Sequence, residues 1–376
     1  MDKEQERPTP DDLRNEASRA ASAMTAEEQI DHALEHRPKN WLVLAVRYLV
    51  PLALTVALVW YMFHKVDFGS MMAILREGVD YWWILLAMGI SIFSHIFRAA
   101  RWRLQLRALD VHVPFMALCC SIFGCYALNL VFPRLGEVWR CTYIAREGKA
   151  PFTTVLGSMV SDRITDTVSV LLLTLLTFIV ANAALRSFLA EYPVGQGFLN
   201  LVENPFLWIA IGVGIAILVS LFYFGRHTTA VDKLWKWIKE LWLGFASLWH
   251  MKGRMLFAIL TVLIWGSYFV QLYVAFFAFP FTKALCHESS LAFGLTPCLV
   301  AFVLSSIGMA IPSNGGLGPW NIAVMFGLSV YGITQTEGTA FSMLQWSGQT
   351  VMLIILGIFT MGYIALSKTK TKNVKL

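Results

Sequence analysis

The chain has 376 residues, of which 57% are hydrophobic and only 14% charged, with a formal net charge of +6. A soluble domain carries nearer ~25% charged residues, and the apolar residues here gather into blocks of about 17–25, the length that crosses a ~30 Å hydrocarbon core as a helix. A water-soluble globular enzyme is excluded, and the basic residues flank the apolar blocks, so the positive charge reads as membrane topology and not as a nucleic-acid surface.

Residues 1–40 form a polar tail. Within it, Thr25 to His36 opens with a capping-box pattern, Thr25 with Glu28, and predicts a short helix. A membrane domain follows over 41–368. Its apolar blocks run over about 42–63, 81–97, 113–132, 164–184, 205–224 and 256–279. A seventh, from 291 to 311, breaks at Pro312-Ser-Asn-Gly-Gly-Leu-Gly-Pro319 and resumes to Gly332, and the last covers about 341–366. Between the fifth and sixth, residues 231–251 set Trp and Leu at helical spacing opposite Lys233, Lys236 and Lys239, the pattern of an amphipathic helix lying on the membrane surface. Residues 369–376 form a basic C-terminal tail.

Charge decides the topology. If every block crossed once, the basic loops at 133–161 and 226–255 would fall opposite the N-terminal tail, against the positive-inside rule. If the segments at about 113–140 and 291–332 instead dip in and return, only Lys65, Arg76, Arg186 and Lys283 lie outside. Arg47 and Arg163 then sit within or at the end of a block, and every other Lys and Arg is cytoplasmic. The expected fold is therefore an all-α polytopic membrane protein with about six full transmembrane helices plus two opposed re-entrant broken hairpins. The expected setting is a bacterial-type inner (cytoplasmic) membrane with both termini cytoplasmic. The two broken segments share a pattern, apolar helix, Pro-x-x-Gly, then helix, at Pro133 to Gly136 and Pro312 to Gly315, which predicts an inverted repeat.

Non-helical backbone survives at membrane depth only inside protein or beside a wet cavity. Both breaks are thus expected to face one cavity, with half-helix N-termini turning amide donors toward an anionic headgroup. Arg134 and Arg140 would add positive charge, and arginine suits phosphate through its two-pronged fork. Glu137 needs a partner among Arg134, Arg140 and Arg163. Asp162 and Asp166 share a helix face with Arg163 between them. Two readings of Glu137, Asp162, Arg163 and Asp166 stand open, a lock between helices or a headgroup site. Arg98 and Arg101 are either cytoplasmic anchors or, with His95, a phosphate-catching entrance. Ser313, Asn314, Gly315 and Gly316 belong to the second break, with Asn321 following it. Gln345 and Gln349 share a face of the last span and read as helix-to-helix glue or cavity lining. No Cys or His cluster has metal spacing and no hydrolase motif is present, so no metal, cofactor or catalytic residue is expected, and the chain is expected to be a transporter and not an enzyme.

The run NLVFPRLGEVWR (Asn129–Arg140), SDRITD (Ser161–Asp166) and the late P-x-x-G-G-x-G segment resemble the membrane domain of the lysylphosphatidylglycerol synthase/flippase family over roughly residues 42–368. Carried over by position, Arg134, Gly136, Glu137, Arg140, Arg163 and Asp166 match the first motif, and Pro312, Gly316 and Gly318 the second. The chain departs where the family carries Glu before the Arg of the SDRITD half-motif, here Asp162, and where it carries an acid after the late glycines, here Pro319, Trp320 and Asn321. The resemblance implies a flippase-like domain without the soluble aminoacyl-transferase domain. Its expected partners are an anionic or aminoacylated phospholipid or a polyprenyl-linked lipid, moved between leaflets, with a separate lipid-modifying enzyme as a further candidate partner. The alternatives are an intramembrane transferase using a lipid-linked donor and a non-transporting lipid-binding partner protein.

Overall fold

The computed structural model describes residues 68–132, 134–182, 253–311 and 313–373, with isolated positions between 53 and 60 and between 204 and 213. The tail, most of the first and fifth apolar blocks, the amphipathic segment 231–251, and both Pro133 and Pro312 lie outside the described residues. Among the described residues every regular element is helical: α1 (Phe68–Glu77), α2 (Tyr81–Ala108), α3 (Phe115–Val131), α4 (Leu135–Glu147), α5 (Phe152–Val180), α6 (Arg254–Phe276), α7 (Pro280–Leu285), α8 (Leu295–Gly308), α9 (Pro319–Ser329) and α10 (Gln335–Asn373), with short 3-10 turns at Ser289–Leu291 and Asn314–Gly316. Among the described residues, five segments are long and apolar enough to cross a membrane: α2, α5, α6, Ser289–Gly308 and the Gln335–Ser367 part of α10.

These helices are built inside out relative to a soluble bundle. On α2 the buried positions include Ser91, Ser94, His95, Arg98, Arg101, Trp102 and Gln105, a polar stripe at helical spacing, while Trp82, Leu85, Leu86 and Phe93 are exposed. On α5, Ser158, Ser161, Asp162 and Asp166 are buried, and Leu171, Leu172, Leu175 and Ile179 are exposed. A helix bathed in hydrocarbon gains nothing by hiding leucine, so its polar groups turn inward, where they find partners.

Two boundaries differ most from expectation. Helix α2 continues through Ala108, so Arg98, Arg101 and Arg103 ride on a helix and not on a loop. Helix α5 begins at Phe152, twelve residues before the expected start, because the polar stretch Ser158–Asp166 faces neighbouring helices and leaves no apolar signal.

Two helix–break–helix units are present. In the first, α3 and α4 are joined through residues 132–134, with Arg134 in the left-handed region (φ 63°). Here α4 lies so close to α3 that a Cβ on Gly136 would stand 2.0 Å from the Cys125 carbonyl oxygen, so glycine is obligatory. In the second, α8 and α9 are joined through residues 309–318, where Gly315, Gly316 and Gly318 all have positive φ. The two breaks touch: the Asn314 side-chain amide donates to the Val131 carbonyl at 3.1 Å. Helix α10 secures the junction, since Trp346 Nε1 donates to the Gly315 carbonyl at 2.9 Å.

Candidate functional site

Charged residues of α2, α4 and α5 form a cluster of ion pairs at two depths, with no pair joining one depth to the other among the described residues. Its enclosed part is built on Asp162 and Asp166, one turn apart on α5. Arg101 donates from Nε to Asp162 Oδ1 at 2.9 Å and from Nη2 to Asp166 Oδ1 at 2.7 Å. Arg98 donates to Asp166 Oδ2 at 2.5 Å and lies 3.5 Å from Asp162 Oδ2. The Arg140 guanidinium stacks over the Trp102 ring at 4.0 Å and approaches Asp162 Oδ2 only to 3.8 Å, too far for a hydrogen bond. Arg98, Arg101, Arg140, Asp162 and Asp166 are all buried, so three cations face two anions away from solvent.

The second depth is half-exposed. Arg163 on α5 bonds Glu137 in the first turn of α4, joining the first broken unit to its neighbour. Of the three partners expected for Glu137, the geometry selects Arg163. Arg134 is exposed and makes no ion pair with any described residue.

Beside this network lies a partly open cavity of about 780 Å³. Helices α4 and α5, with the break between α3 and α4, supply Arg134, Glu137, Arg163 and Asp166 to its wall, and Arg98 enters from α2. The second break supplies Ser313, Gly315 and Gly316, and α10 supplies Gln345 and Gln349. Four expected site residues are not in that lining. Arg101, Asp162 and Arg140 stand behind it in the buried network, and Asn314 binds the other break. Gln349 does both jobs expected of it: it lines the cavity and bonds Gln271 at 2.8 Å and Ser91 at 3.0 Å, linking α10 to α6 and α2.

The expected amide donors are partly consumed within the chain. Gly136 N–H donates to Asn129 Oδ1 at 2.9 Å, and Gly318 N–H donates to Asn321 Oδ1 at 3.1 Å. Helix α9 starts at Pro319, which has no N–H to offer. Positive charge in the cavity therefore comes chiefly from arginine side chains. Asn321 is a buried cap, its own amide bonded to the Ser342 carbonyl at 3.1 Å.

Several lining residues escaped the sequence reading: Tyr126, Asn129, Trp265, Tyr268, Gln271 and Trp346. The aromatic ones look like any membrane-core residue. Gln271 alone carries a signal, an amide in the middle of an apolar helix. The cavity rim includes Leu171, Ile307, Met309 and Ile311, all exposed, so polar wall and apolar surface adjoin.

The chain is an integral membrane protein whose polar residues converge on one cavity. No curated protein matches it. A family model for the lysylphosphatidylglycerol synthase transmembrane region matches residues 48–357, most of the chain, and the chain belongs to that family.

Proposed function

We propose that the chain is a lipid translocator, which holds an anionic headgroup in the cavity between its two broken units while the hydrocarbon chains stay in the bilayer. The observation that carries this reading is the cavity's mixed boundary: Arg134, without an acidic partner among the described residues, and the Arg163–Glu137 pair on one wall, and exposed Leu171, Ile307, Met309 and Ile311 on the rim. A phosphate needs the first and an acyl or prenyl chain the second.

Helix length supports a re-entrant arrangement. At 1.5 Å per residue, α3, α4, α8 and α9, with 17, 13, 14 and 11 residues, reach about 26, 20, 21 and 17 Å, each short of a ~30 Å core. Ser289–Gly308 attains crossing length only across Ala292, Phe293 and Gly294, where three successive residues have positive φ. Opposed entry of the two units and cytoplasmic termini are the arrangement that charge placement favours, and an inner membrane is the setting of this reading. In this reading the family role in lipid chemistry is transport, with no catalytic residue.

The experiment is leaflet exchange in proteoliposomes loaded with labelled phosphatidylglycerol, its aminoacyl form or a polyprenyl phosphate. Accelerated exchange of at least one is expected. Exchange of all three at the protein-free rate contradicts the reading.

A further inference from the structure

The cavity has a second wall that phosphate binding leaves unused. His95 on α2 and Gln345 on α10 are both about 2% exposed and line the cavity, yet neither ring nitrogen of His95 nor Oε1 of Gln345 has a hydrogen-bond partner among the described residues. Trp265 Nε1 on α6 lines the same cavity and is likewise unpartnered. Buried polar atoms are nearly always satisfied, and leaving one bare is destabilising. Three helices thus hold unpartnered polar atoms on residues that line one space. Between them lie aromatic faces: Tyr126, 4.7 Å from the His95 ring, and Tyr268, 6.1 Å from Trp265.

The charged wall limits what fits there. Both described acids on the cavity are committed, Glu137 to Arg163 and Asp166 to Arg98 and Arg101, whereas Arg134 has no acidic partner among the described residues. Aromatic faces also attract ammonium groups. An ammonium here, however, would find no free carboxylate among the described residues and would share the space with an uncompensated guanidinium.

We infer that the headgroup taken by this chain is a phosphodiester bearing a neutral, hydroxyl-rich group, glycerol or a sugar, and not an aminoacylated, cationic one. The inference rests on the lipid-holding cavity proposed above. The phosphate meets the arginines of α4 and α5. The hydroxyls exchange hydrogen bonds with His95, Gln345 and Trp265, each of which can serve a neutral partner, and the C–H faces of the group pack on the aromatic rings. A site that hydrogen-bonds hydroxyls rejects analogues lacking them, because its own buried groups are then stranded.

The test is a competition. Full-length protein in detergent is given equal amounts of phosphatidylglycerol, lysylphosphatidylglycerol, a hexosyl-phosphate polyprenol and phosphatidic acid, and bound lipid is counted by native mass spectrometry. Phosphatidylglycerol and the hexosyl lipid should exceed the lysyl form by about tenfold, and whichever of the two dominates identifies the source of the hydroxyls. His95→Phe and Gln345→Leu should each erase about fivefold of the preference over phosphatidic acid. If His95→Phe fails to fold, Gln345→Leu carries the test. Equal or tighter binding of the lysyl form overturns the inference, as does a preference that survives substitution in a folded protein. Leaflet exchange measured in parallel separates the two claims. Selective binding without exchange overturns translocation and supports the headgroup assignment, whereas equal exchange of both lipids supports translocation and overturns the assignment.

Discussion

The Asn314 side-chain amide donates to the Val131 carbonyl at 3.1 Å, so a residue of one broken unit closes the open backbone of the other, 183 positions away in sequence. A free carbonyl at the end of α3 would otherwise need water or a ligand. Asn314→Ala should lower stability by about 1 kcal/mol, read by thermal unfolding in detergent, and should leave the charged network unchanged.

Asp162 is the hub of the enclosed network, fully buried and within 4.0 Å of Arg98, Arg101 and Arg140. Asp162→Ala would leave three buried guanidinium groups facing Asp166 alone. Removing one member of a buried ion pair costs about 3–5 kcal/mol. The expected outcome is loss of monodisperse protein on size exclusion, far beyond the effect of Asn314→Ala.

Arg134 predicts the opposite profile. It sits at φ 63°, a conformation that costs a non-glycine residue roughly 1 kcal/mol. Arg134→Gly should hold or raise the unfolding temperature and still reduce capture of an anionic lipid by about tenfold in a binding titration. A variant both stable and fully able to bind would remove Arg134 from the site.

Much of this was legible in the sequence, and the reasons are specific. Pro-x-x-Gly within apolar blocks pointed to both breaks, and the four-residue spacing of Asp162 and Asp166 correctly put them on one face. Their partners were not legible. Arg98 and Arg101 lie more than sixty residues away, and an ion pair across helices leaves no periodic trace. The same holds for Glu137, whose choice of Arg163 depends on how α4 leans on α5. Charge alone had placed Arg140 in the site, but stacking on Trp102 holds it behind the wall.

Gly136 gives a packing test. Its Cβ would fall 2.0 Å from a backbone oxygen of Cys125 and 2.8 Å from Asn129 Oδ1, and the backbone atom cannot rotate away. Gly136→Ala should separate α4 from α3 and break the Asn129 cap, costing about 3 kcal/mol or more, seen as protein that expresses but loses its cooperative thermal transition.

Glu137→Gln separates transport from lipid-linked transfer. As half of a half-exposed pair with Arg163, Glu137 adds at most about 1 kcal/mol of stability. Transport predicts exchange within a few-fold of the parent protein. A transferase using Glu137 as base predicts a product from labelled lipid donor that vanishes in the variant.

The most direct test of the central claim blocks the cavity in an otherwise unchanged protein. Thr167 lines it and is exposed, whereas Cys119, Cys120, Cys125, Cys141, Cys286 and Cys298 are buried. Thr167→Cys can therefore be labelled selectively with a bulky maleimide, the stoichiometry being checked by mass. Leaflet exchange of phosphatidylglycerol should match the parent before labelling and fall to the protein-free rate after it. Full exchange by completely labelled protein would mean that lipid does not travel through this cavity.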